Sequence, residues 1–302
     1  MIWDKITERQ KGILNFDDKL NNAIKNTKAA VFGTGGNGNV LDFMVRLGYQ
    51  NFNIVDFDKV EESNLNRLPF FKEHAGIPKV KAWEKYLKTV NPECTVIAHD
   101  VRLDIKNIEL VEEMVDWCDI VAACVSDLQA AFIIARVCAK KKKRMIMGPG
   151  TSNCWVVTSF VHDKNITLES AMGLGTEKTA FSEIKFQEIL PRMVKMYYFP
   201  GRKDRVDPET LAKVLKGEIA PRSCKIFVSM VNSAMSWEIV KNTAVMNGLP
   251  LEGTSVIEFP VVQVFDPFKG SAFYWNVVTE EIGIPNWVTG KTAWEKLSKE
   301  SK

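Results

Sequence analysis

The stretch Ala29-Ala30-Val31-Phe32-Gly33-Thr34-Gly35-Gly36-Asn37-Gly38 decides how this chain folds. It is an apolar run followed by a G-x-G-x-x-G turn, and apolar residues then recur at helical spacing over 41–47. This order predicts a strand, a tight glycine turn and a helix, in which backbone N–H groups approach a phosphate without obstruction by a Cβ atom. The nucleotide-binding residues expected from this turn are Gly33, Gly35, Gly36 and Gly38.

Apolar runs continue to alternate with amphipathic segments after this unit. Strands are expected at 52–57, 95–99, 120–125 and 145–147, with helices at 80–90, 107–116 and 128–142. Repeated βα units of this kind build a mostly parallel sheet flanked by helices. Extended runs at 155–161, 256–265 and 272–278, a turn signal at 266–270 and a helix at 226–245 predict an antiparallel C-terminal extension. The predicted fold class is α/β, with a Rossmann-type sheet.

The whole chain, 1–302, is expected to form a single domain. Residues 1–28 predict a helical arm, because Phe16, Leu20 and Ile24 recur every four positions. Residues 29–164 are interpreted as the nucleotide-binding half. Residues 165–223 are rich in Gly, Pro, Lys and Arg, and we interpret them as a crossover or substrate-facing insertion. Residues 224–302 hold the later helix, the hairpin and a polar tail that is either helical or frayed from 291 onward.

Charged side chains follow the second strand at positions suited to a nucleotide. Asp56 and Asp58 stand at its end, where an acid accepts hydrogen bonds from ribose hydroxyls. Arg67 follows in a polar loop, Lys79 begins the next helix, and both are candidates for contacting a triphosphate. Asp127, just past the strand at 120–125, is expected at the carboxyl edge of the sheet, where it would hold Mg²⁺. The set predicts a site for ATP with magnesium.

The expected positions of Arg67 and Lys79 distinguish between reaction types. Attack of a carboxylate on the α-phosphorus of ATP accumulates charge on the equatorial oxygens and on pyrophosphate, which Arg67 and Lys79 would stabilise. An NAD-dependent oxidoreductase would also explain the glycine turn and Asp56, and a catalytically silent nucleotide-binding scaffold would explain the fold. Neither alternative predicts Arg67, Lys79 and Asp127 together.

Four motifs in order carry a family resemblance. The glycine turn, Asp56-Phe57-Asp58, Ser63-Asn64-Leu65-Asn66-Arg67 and Gly76-Ile77-Pro78-Lys79 resemble the ThiF/MoeB/HesA family of ubiquitin-activating-type adenylyltransferases. The resemblance covers the first half well and the later helix and hairpin more weakly. It implies an enzyme that activates a carboxylate as an acyl-adenylate and releases pyrophosphate. The implied substrates are the C-terminus of a ubiquitin-like carrier protein, a peptide or a small carboxylate.

The resemblance also implies roles for residues of the nucleotide site. Asp56 would bind the ribose, and Asp58 and Asn64 would line the reaction centre. Arg67 and Lys79 would bind phosphates, and Asp127 would position magnesium.

Two further residues, Arg9 and Cys224, also occupy positions that resemble the family. Arg9 is similar to an N-terminal arginine that reaches the partner subunit's ATP in dimeric members, which implies a homodimer. Cys224 stands where members carry a thiol that links covalently to the acyl group; the alternative is a buried structural thiol. The chain departs from sulfur-carrier members because it has no CxxC pair, so no zinc site is expected. The departure leaves open an adenylation-dependent dehydratase that modifies transfer RNA.

Composition and hydropathy narrow the partners and the compartment. Lys and Arg total 40 against 37 Asp and Glu, so no broad electrostatic footprint for nucleic acid is expected. The sequence contains no stretch long enough to span a bilayer and no N-terminal leader pattern, which predicts a cytoplasmic protein without a membrane partner. The basic run at 140–144 is interpreted as a solvated helix end rather than a nucleic-acid patch.

Overall fold

The computed structural model describes residues 2–148, 155–162, 166–193 and 222–284, with isolated positions elsewhere, of which 295–296 form a strand. The described strands form one ten-stranded sheet in the order β10-β9-β8-β7-β6-β5-β4-β1-β2-β3. Their bounds are β1 Lys28–Phe32, β2 Asn51–Asp56, β3 Thr95–Asp100, β4 Ile120–Ala123, β5 Arg144–Met147, β6 Trp155–Phe160, β7 Val261–Asp266, β8 Ser271–Asn276, β9 Ile282–Ile284 and β10 Glu295–Lys296.

The sheet has a parallel half and an antiparallel half. Strands β3, β2, β1, β4 and β5 are parallel, so they all end at one edge, which we call the carboxyl edge. From β5 to β10 each neighbouring pair is antiparallel. Because β7 runs back toward the carboxyl edge, the hairpin turn between β7 and β8 also lies there. The predicted fold class, with its C-terminal antiparallel extension, is confirmed.

Helices cover both faces of this sheet. They are α1 Ile2–Thr7, α2 Asp18–Asn26, α3 Val40–Leu47, α4 Lys79–Val90, α5 Ile108–Trp117, α6 Leu128–Lys140, α7 Leu168–Ala171, α8 Phe186–Met193 and α9 Lys225–Met246. Local chemistry sets several of their ends. The side chain of Asp17 accepts a hydrogen bond from Leu20 N at the start of α2, and Gly48 ends α3 in the left-handed conformation.

Alternation along β1 divides the interior into two apolar cores. Ala30 and Phe32 face the core formed with α5 and α6, whereas Ala29 and Val31 face the core formed with α2, α3, α4 and α9. Successive side chains of a strand point to opposite faces, so a strand buried on both faces reads as a continuous apolar run. This is why the segment before the glycine turn carries no polar alternation.

The prediction of a helix over 1–28 is wrong in its middle. Gly12 and Asn15 have φ values of 88° and 71° in the left-handed region, which a right-handed helix excludes. The arm is therefore two short helices, α1 and α2, joined by a turn. The expected stripe is nevertheless buried, at Phe16, Leu20 and Ile24.

Two C-terminal predictions also need correction. The strand predicted from 256 begins only at Val261, after Pro260, because proline has no N–H to donate to a sheet ladder. In the tail predicted as helical or frayed, Glu295 and Lys296 instead pair with β9. The rest of 291–302 lies outside the described residues, and the division of the chain into parts of a single domain stays a prediction.

The described part of the 165–223 segment is anchored on α6. Arg136 and Glu169 form an ion pair with side chains 11% and 6% exposed. The Arg136 guanidinium also donates to the carbonyl oxygens of Thr176 and Thr179. A single arginine therefore fixes α7 and the turn that follows it against the sheet.

The basic run at 140–144 behaves as predicted. Lys141 pairs with Asp116 at 2.5 Å, and Lys143 donates to the carbonyl oxygen of Cys118 at the end of α5. Both contacts are made at the C-terminal end of α5. In the described part of the chain, no helix has both the length and the apolar character needed to cross a membrane.

A buried polar network fixes the middle of α9. Glu238 and Lys241 pair with side chains only 1% and 2% exposed. The second carboxylate oxygen of Glu238 accepts from Ser159 Oγ at 3.0 Å and from Ile257 N at 3.2 Å, and Lys241 Nζ donates to Ser255 O at 2.7 Å. Burial is the largest influence on Glu238 and raises the pKa of its carboxyl despite the nearby ammonium. The network joins α9 to β6 and to the segment before β7.

Removing one member of this pair is expected to destabilise the fold. Glu238→Ala leaves the ammonium of Lys241 buried without its counter-charge, and we expect a loss of about 3–5 kcal/mol in unfolding free energy by urea denaturation. The double substitution Glu238→Met with Lys241→Met should recover part of this loss, because no unpaired charge remains. Glu8→Ala, which breaks the exposed pair with Lys5, should change nothing measurable. A double variant less stable than Glu238→Ala would contradict the expectation.

Candidate functional site

The glycine turn is closely packed on one side and open on the other. A Cβ atom on Gly33 would lie 2.9 Å from Cys124 O, and one on Gly38 would lie 2.7 Å from Gly33 O. Gly33 also has a φ of 86°, which L-residues with side chains rarely adopt. A Cβ atom on Gly35 would meet nothing within 4 Å. The turn is thus folded tightly against β4 while part of its backbone borders open space.

Asp56 holds this turn from the end of β2. Its Oδ2 accepts from Thr34 N at 2.6 Å and from Thr34 Oγ1 at 3.1 Å, and its Oδ1 accepts from Asp58 N at 2.9 Å. The indole N–H of buried Trp83, on α4, donates to Thr34 O at 2.9 Å. The expected ribose acid therefore also orders the loop, and its Oδ1, which accepts one hydrogen bond here, has a further lone pair for a ligand.

Lys79 and Asp58, both predicted site residues, form an ion pair. Lys79 Nζ lies 2.7 Å from Asp58 Oδ2, with the lysine side chain 9% and the aspartate side chain 48% exposed. Lys79 N also donates to Asp58 O at 2.8 Å, so the start of α4 is bound to the chain leaving β2. The ammonium keeps further N–H donors beyond the one that this pair uses.

Arg67 lies directly against the glycine turn. The Cβ position of Gly36 is 3.7 Å from Arg67 Nε. Arg67 Nη1 donates to Ser63 O at 2.9 Å and to Asn66 Oδ1 at 2.8 Å, and these two contacts fix the guanidinium. A cation is therefore held at the point where the sequence predicts phosphates.

Asn64 is buried within the turn that leads to Arg67. Its Oδ1 accepts from Glu61 N at 3.4 Å, and its Nδ2 donates to Ser63 Oγ at 3.3 Å. These contacts give Asn64 a role in shaping the turn in addition to the one implied by resemblance.

The first turns of α9 close the site from the other side. Asn232 Nδ2 donates to Gly36 O at 3.0 Å. Lys225 Nζ donates to Arg67 O at 3.2 Å, and Asn66 Nδ2 donates to Ser223 O at 3.0 Å. Both neighbours of Cys224 in the sequence thus contact the segment that carries Arg67, which brings the predicted thiol next to the predicted phosphate site.

Cys224 differs from the other described cysteines in its exposure. It is partly exposed, whereas Cys94, Cys118, Cys124 and Cys138 are buried. Burial raises the pKa of Cys94 and of Cys118 to about 12, and it also raises the pKa of the other two buried thiols. Among the described cysteines, Cys224 is therefore the one that is partly exposed, and it is not the buried thiol of the alternative interpretation.

Asp127 caps α6 at the carboxyl edge. Its Oδ1 accepts from Gln129 N at 2.8 Å, and the side chain is exposed. The described residues contain no cluster of three or more His, Cys, Asp or Glu side chains able to hold a metal. One carboxylate oriented at a helix start suits Mg²⁺, which keeps several waters and is bound through one or two carboxylates plus substrate phosphates.

Arg9 is the predicted site residue that the fold separates from the others. It lies exposed in a short turn of helix just after α1. Trp3 Nε1 donates to Gly48 O, which places α1 at the far end of α3 from the glycine turn. The length of α3 alone separates them by about 12 Å. Within this chain Arg9 does not join the other predicted site residues.

Sequence reasoning missed Thr34, Trp83 and Asn232. Trp83 and Asn232 stand 49 and 196 residues from the carbonyl oxygens that they bond. Trp83 falls in the helix expected at 80–90, and its apolar spacing gave no sign of the indole hydrogen bond. Lys79, four positions earlier on α4, offered the signal that could have found it, since residues at i and i+4 share a helix face.

Relatives of known sequence share parts of this chain. Ubiquitin-like modifier-activating enzyme 5 of Rattus norvegicus is 28% identical over 207 residues, covering 57% of this chain and 51% of the relative. The enzyme of the same name from Drosophila ananassae is 31% identical over 128 residues, covering 39% of this chain and 32% of the relative. The chain thus spans about half or less of the length of these relatives.

Solved structures share the fold at low sequence identity. E. coli MccB in complex with MccA-N7isoAsn superposes with a TM-score of 0.61 at 15% identity, covering 86% of this chain and 66% of that one. E. coli MccB with ATP gives 0.60 at 14% identity, with the same coverage. PaaA gives 0.58 at 16% identity, covering 85% and 66%. Residues 7–258 match the ThiF family, and the chain belongs to that family.

Proposed function

We propose that this protein is an ATP-dependent adenylyltransferase that converts a carboxylate into an acyl-adenylate and releases pyrophosphate. The observation that carries the proposal is the position of Arg67, whose Nε lies 3.7 Å from the Cβ position of Gly36. A guanidinium against a glycine turn supplies charge and directed donors where a triphosphate would lie. Lys79 adds a second cation at the same edge, paired with Asp58 at 2.7 Å.

The chemistry requires charge neutralisation and alignment more than acid or base catalysis. An ionised carboxylate is a weak nucleophile toward a polyanion, so the site must hold both reactants in line. As the bond to the α-phosphorus forms, Arg67 and Lys79 would stabilise the equatorial oxygens and the departing pyrophosphate. Asp56 would accept from the ribose while keeping Thr34 in place. These residues bind and orient, and none has to gain or lose a proton.

Asp127 would hold Mg²⁺ together with the phosphates of ATP, and the ion would neutralise part of their charge. The fit rests on the oriented, exposed carboxylate of Asp127 at the carboxyl edge.

The family and the relatives support a class of substrate. The matching curated relatives are named for activating ubiquitin-like modifiers, and one of the MccB structures contains MccA. We propose the C-terminal carboxylate of a ubiquitin-like carrier protein or of a peptide as the substrate, with a small carboxylate as the remaining case. The protein would act in the cytoplasm.

Two residues extend the proposal beyond adenylation. By resemblance to dimeric family members, Arg9 would reach the ATP of a partner subunit in a homodimer, and in this chain it lies at the far end of α3 from the glycine turn. Cys224 would accept the activated acyl group as a thioester: its sulfur attacks the acyl carbon and AMP leaves. Its partial exposure beside the Arg67 segment supports this role.

Calorimetric titration with ATP and Mg²⁺, and separately with NAD, tests the site first. We expect ATP to bind and NAD not to bind. Arg67→Ala should weaken ATP binding by about 10- to 100-fold, because charge-assisted hydrogen bonds contribute about 1.5–3 kcal/mol. Asp127→Ala should weaken binding only in the presence of Mg²⁺. Arg46→Ala, which removes an exposed arginine on α3, is the matched control and should leave ATP binding unchanged.

Either of two outcomes would overturn this proposal. Binding of NAD without ATP would favour the oxidoreductase, and ATP binding without carboxylate-dependent pyrophosphate exchange would favour a silent scaffold. Exchange stimulated by transfer RNA would instead favour the dehydratase.

Trp83→Phe tests whether α4 positions the glycine turn. The substitution keeps the ring contact with Phe70 but removes the donor to Thr34 O. We expect the Kd for ATP to rise about three- to tenfold, because a buried carbonyl oxygen loses its partner. Trp237→Phe removes an indole from the contact with Phe16 and should leave the Kd unchanged. Equal Kd values for the two variants would refute the positioning role.

Thiol labelling tests the accessibility of Cys224. In a Cys154→Ser background, iodoacetamide at pH 8 should modify one thiol quickly, because the buried thiols Cys94 and Cys118 have pKa values of about 12. Adding Cys224→Ser should remove the fast phase, as counted by intact-protein mass spectrometry. A fast phase that survives this substitution would show that another thiol is the reactive one.

A further inference from the structure

An apolar surface lies where α9 begins and the β7–β8 hairpin turns. Ile226 is 63% exposed and Phe268 is 55% exposed. Phe227 follows Ile226 on α9, and its ring lies 5.6 Å from that of Phe268. We call Ile226, Phe227 and Phe268 the apolar platform.

The platform borders the proposed adenylation site. Its residues on α9 follow Lys225, whose ammonium donates to Arg67 O, and precede Val228, which lies 3.6 Å from the Cβ position of Gly36. Phe268 is on the hairpin turn at the same carboxyl edge, because β7 runs antiparallel to β6 and ends at Asp266. One turn of α9 therefore contacts the phosphate site on one side and supports the platform on the other.

The rim of the platform is basic. Arg222 and Lys225 are exposed before and at the start of α9, and Lys269 is exposed beside Phe268. The nearby carboxylate of Asp266 is buried, and its Oδ1 accepts from the backbone N–H groups of Phe268 and Lys269. Apolar side chains with exposed cations beside them in the sequence suit an apolar segment that ends in a carboxylate.

We propose that the platform binds an apolar side chain near the C-terminus of the peptide or carrier protein whose carboxylate is adenylated. The inference rests on the proposed function and adds a requirement on the substrate sequence. A carboxylate beside Arg67 leaves the preceding residues to run along the carboxyl edge, and that path crosses the platform.

The sheet geometry limits where the apolar residue can stand. Between the end of β1 and the end of β7 lie β4, β5 and β6. Four spacings of about 4.8 Å put the hairpin about 19 Å from the glycine turn. An extended chain covers this distance in about six residues. The apolar side chain is therefore expected among the last six residues of the substrate.

A peptide series tests this requirement. The probes are fluorescein-labelled twelve-residue Gly/Ser peptides with a free C-terminal carboxylate, each carrying one Leu at one of the last six positions. Anisotropy titration without ATP gives the Kd, and ATP–pyrophosphate exchange with the same peptides gives the activity. We expect one or two Leu positions to tighten binding about tenfold over the all-Gly/Ser peptide, because burying a Leu side chain is worth at least that factor.

Variants decide whether the platform is responsible. Ile226→Ser and Phe268→Ser should reduce the Leu advantage to within about twofold. Val278→Ser is the matched control, since Val278 is 50% exposed just past the other end of β8 and should leave the advantage unchanged. Because all three side chains are exposed, the variants are expected to fold.

The two readouts separate this inference from the proposed function. A Leu advantage that depends on the platform, without pyrophosphate exchange, would keep the inference as peptide binding and remove adenylation. Exchange without any Leu advantage would keep adenylation and overturn the inference. A dimer that Ile226→Ser and Phe268→Ser dissociate in sedimentation, and Val278→Ser does not, would show a second copy on the platform and also overturn it.

Discussion

Hydrogen bonds of the backbone and side chain of Thr34 connect the glycine turn to β2 and to α4. Its N–H and hydroxyl donate to Asp56 at the end of β2, and its carbonyl oxygen accepts from Trp83 on α4. A glycine-rich turn loses more conformational entropy on ordering than other sequences do, so it needs fixed partners to keep one conformation. Without these bonds the open backbone at Gly35 would have no defined position relative to the cations. The rest of the site is arranged around a turn held in this way.

Helix α9 supplies the second fixed reference. Its middle is anchored by the buried pair of Glu238 and Lys241, and Asn232 donates to Gly36 O two turns closer to its start. Because buried contacts hold α9 at two points along its length, its exposed first turn has a fixed position. Cys224 and the platform both depend on that first turn, which explains how an accessible thiol and apolar side chains stand at defined distances from Arg67.

The sequence predicted what is local and missed what is distant. The strand, glycine turn and helix from 29 to 47 follow from the order and spacing of their residues, and Asp56 and Lys79 fall at element ends as expected. Trp83 and Asn232 act on the turn across long sequence separations, which no periodicity reveals. The prediction of one helix over 1–28 failed for a local reason. The apolar stripe is present, but the left-handed backbone of Asn15 interrupts the helix. The role of each site residue remains a prediction, because contacts within the chain do not report on a ligand.

The cations of the site are held in local contacts that a triphosphate can outcompete. Lys79 is nearly buried, and an ammonium in that position without a counter-charge would be strongly disfavoured, so Asp58 compensates it. Asp58 is half exposed, so water can hydrate its carboxylate if Lys79 turns toward phosphate. Hydration of Asp58 would then offset much of the loss of the ion pair. Arg67 uses Nη1 on neutral oxygens of its own loop, which compete weakly with phosphate. In the proposed function, the contacts that fix these cations would therefore leave their charge available to ATP.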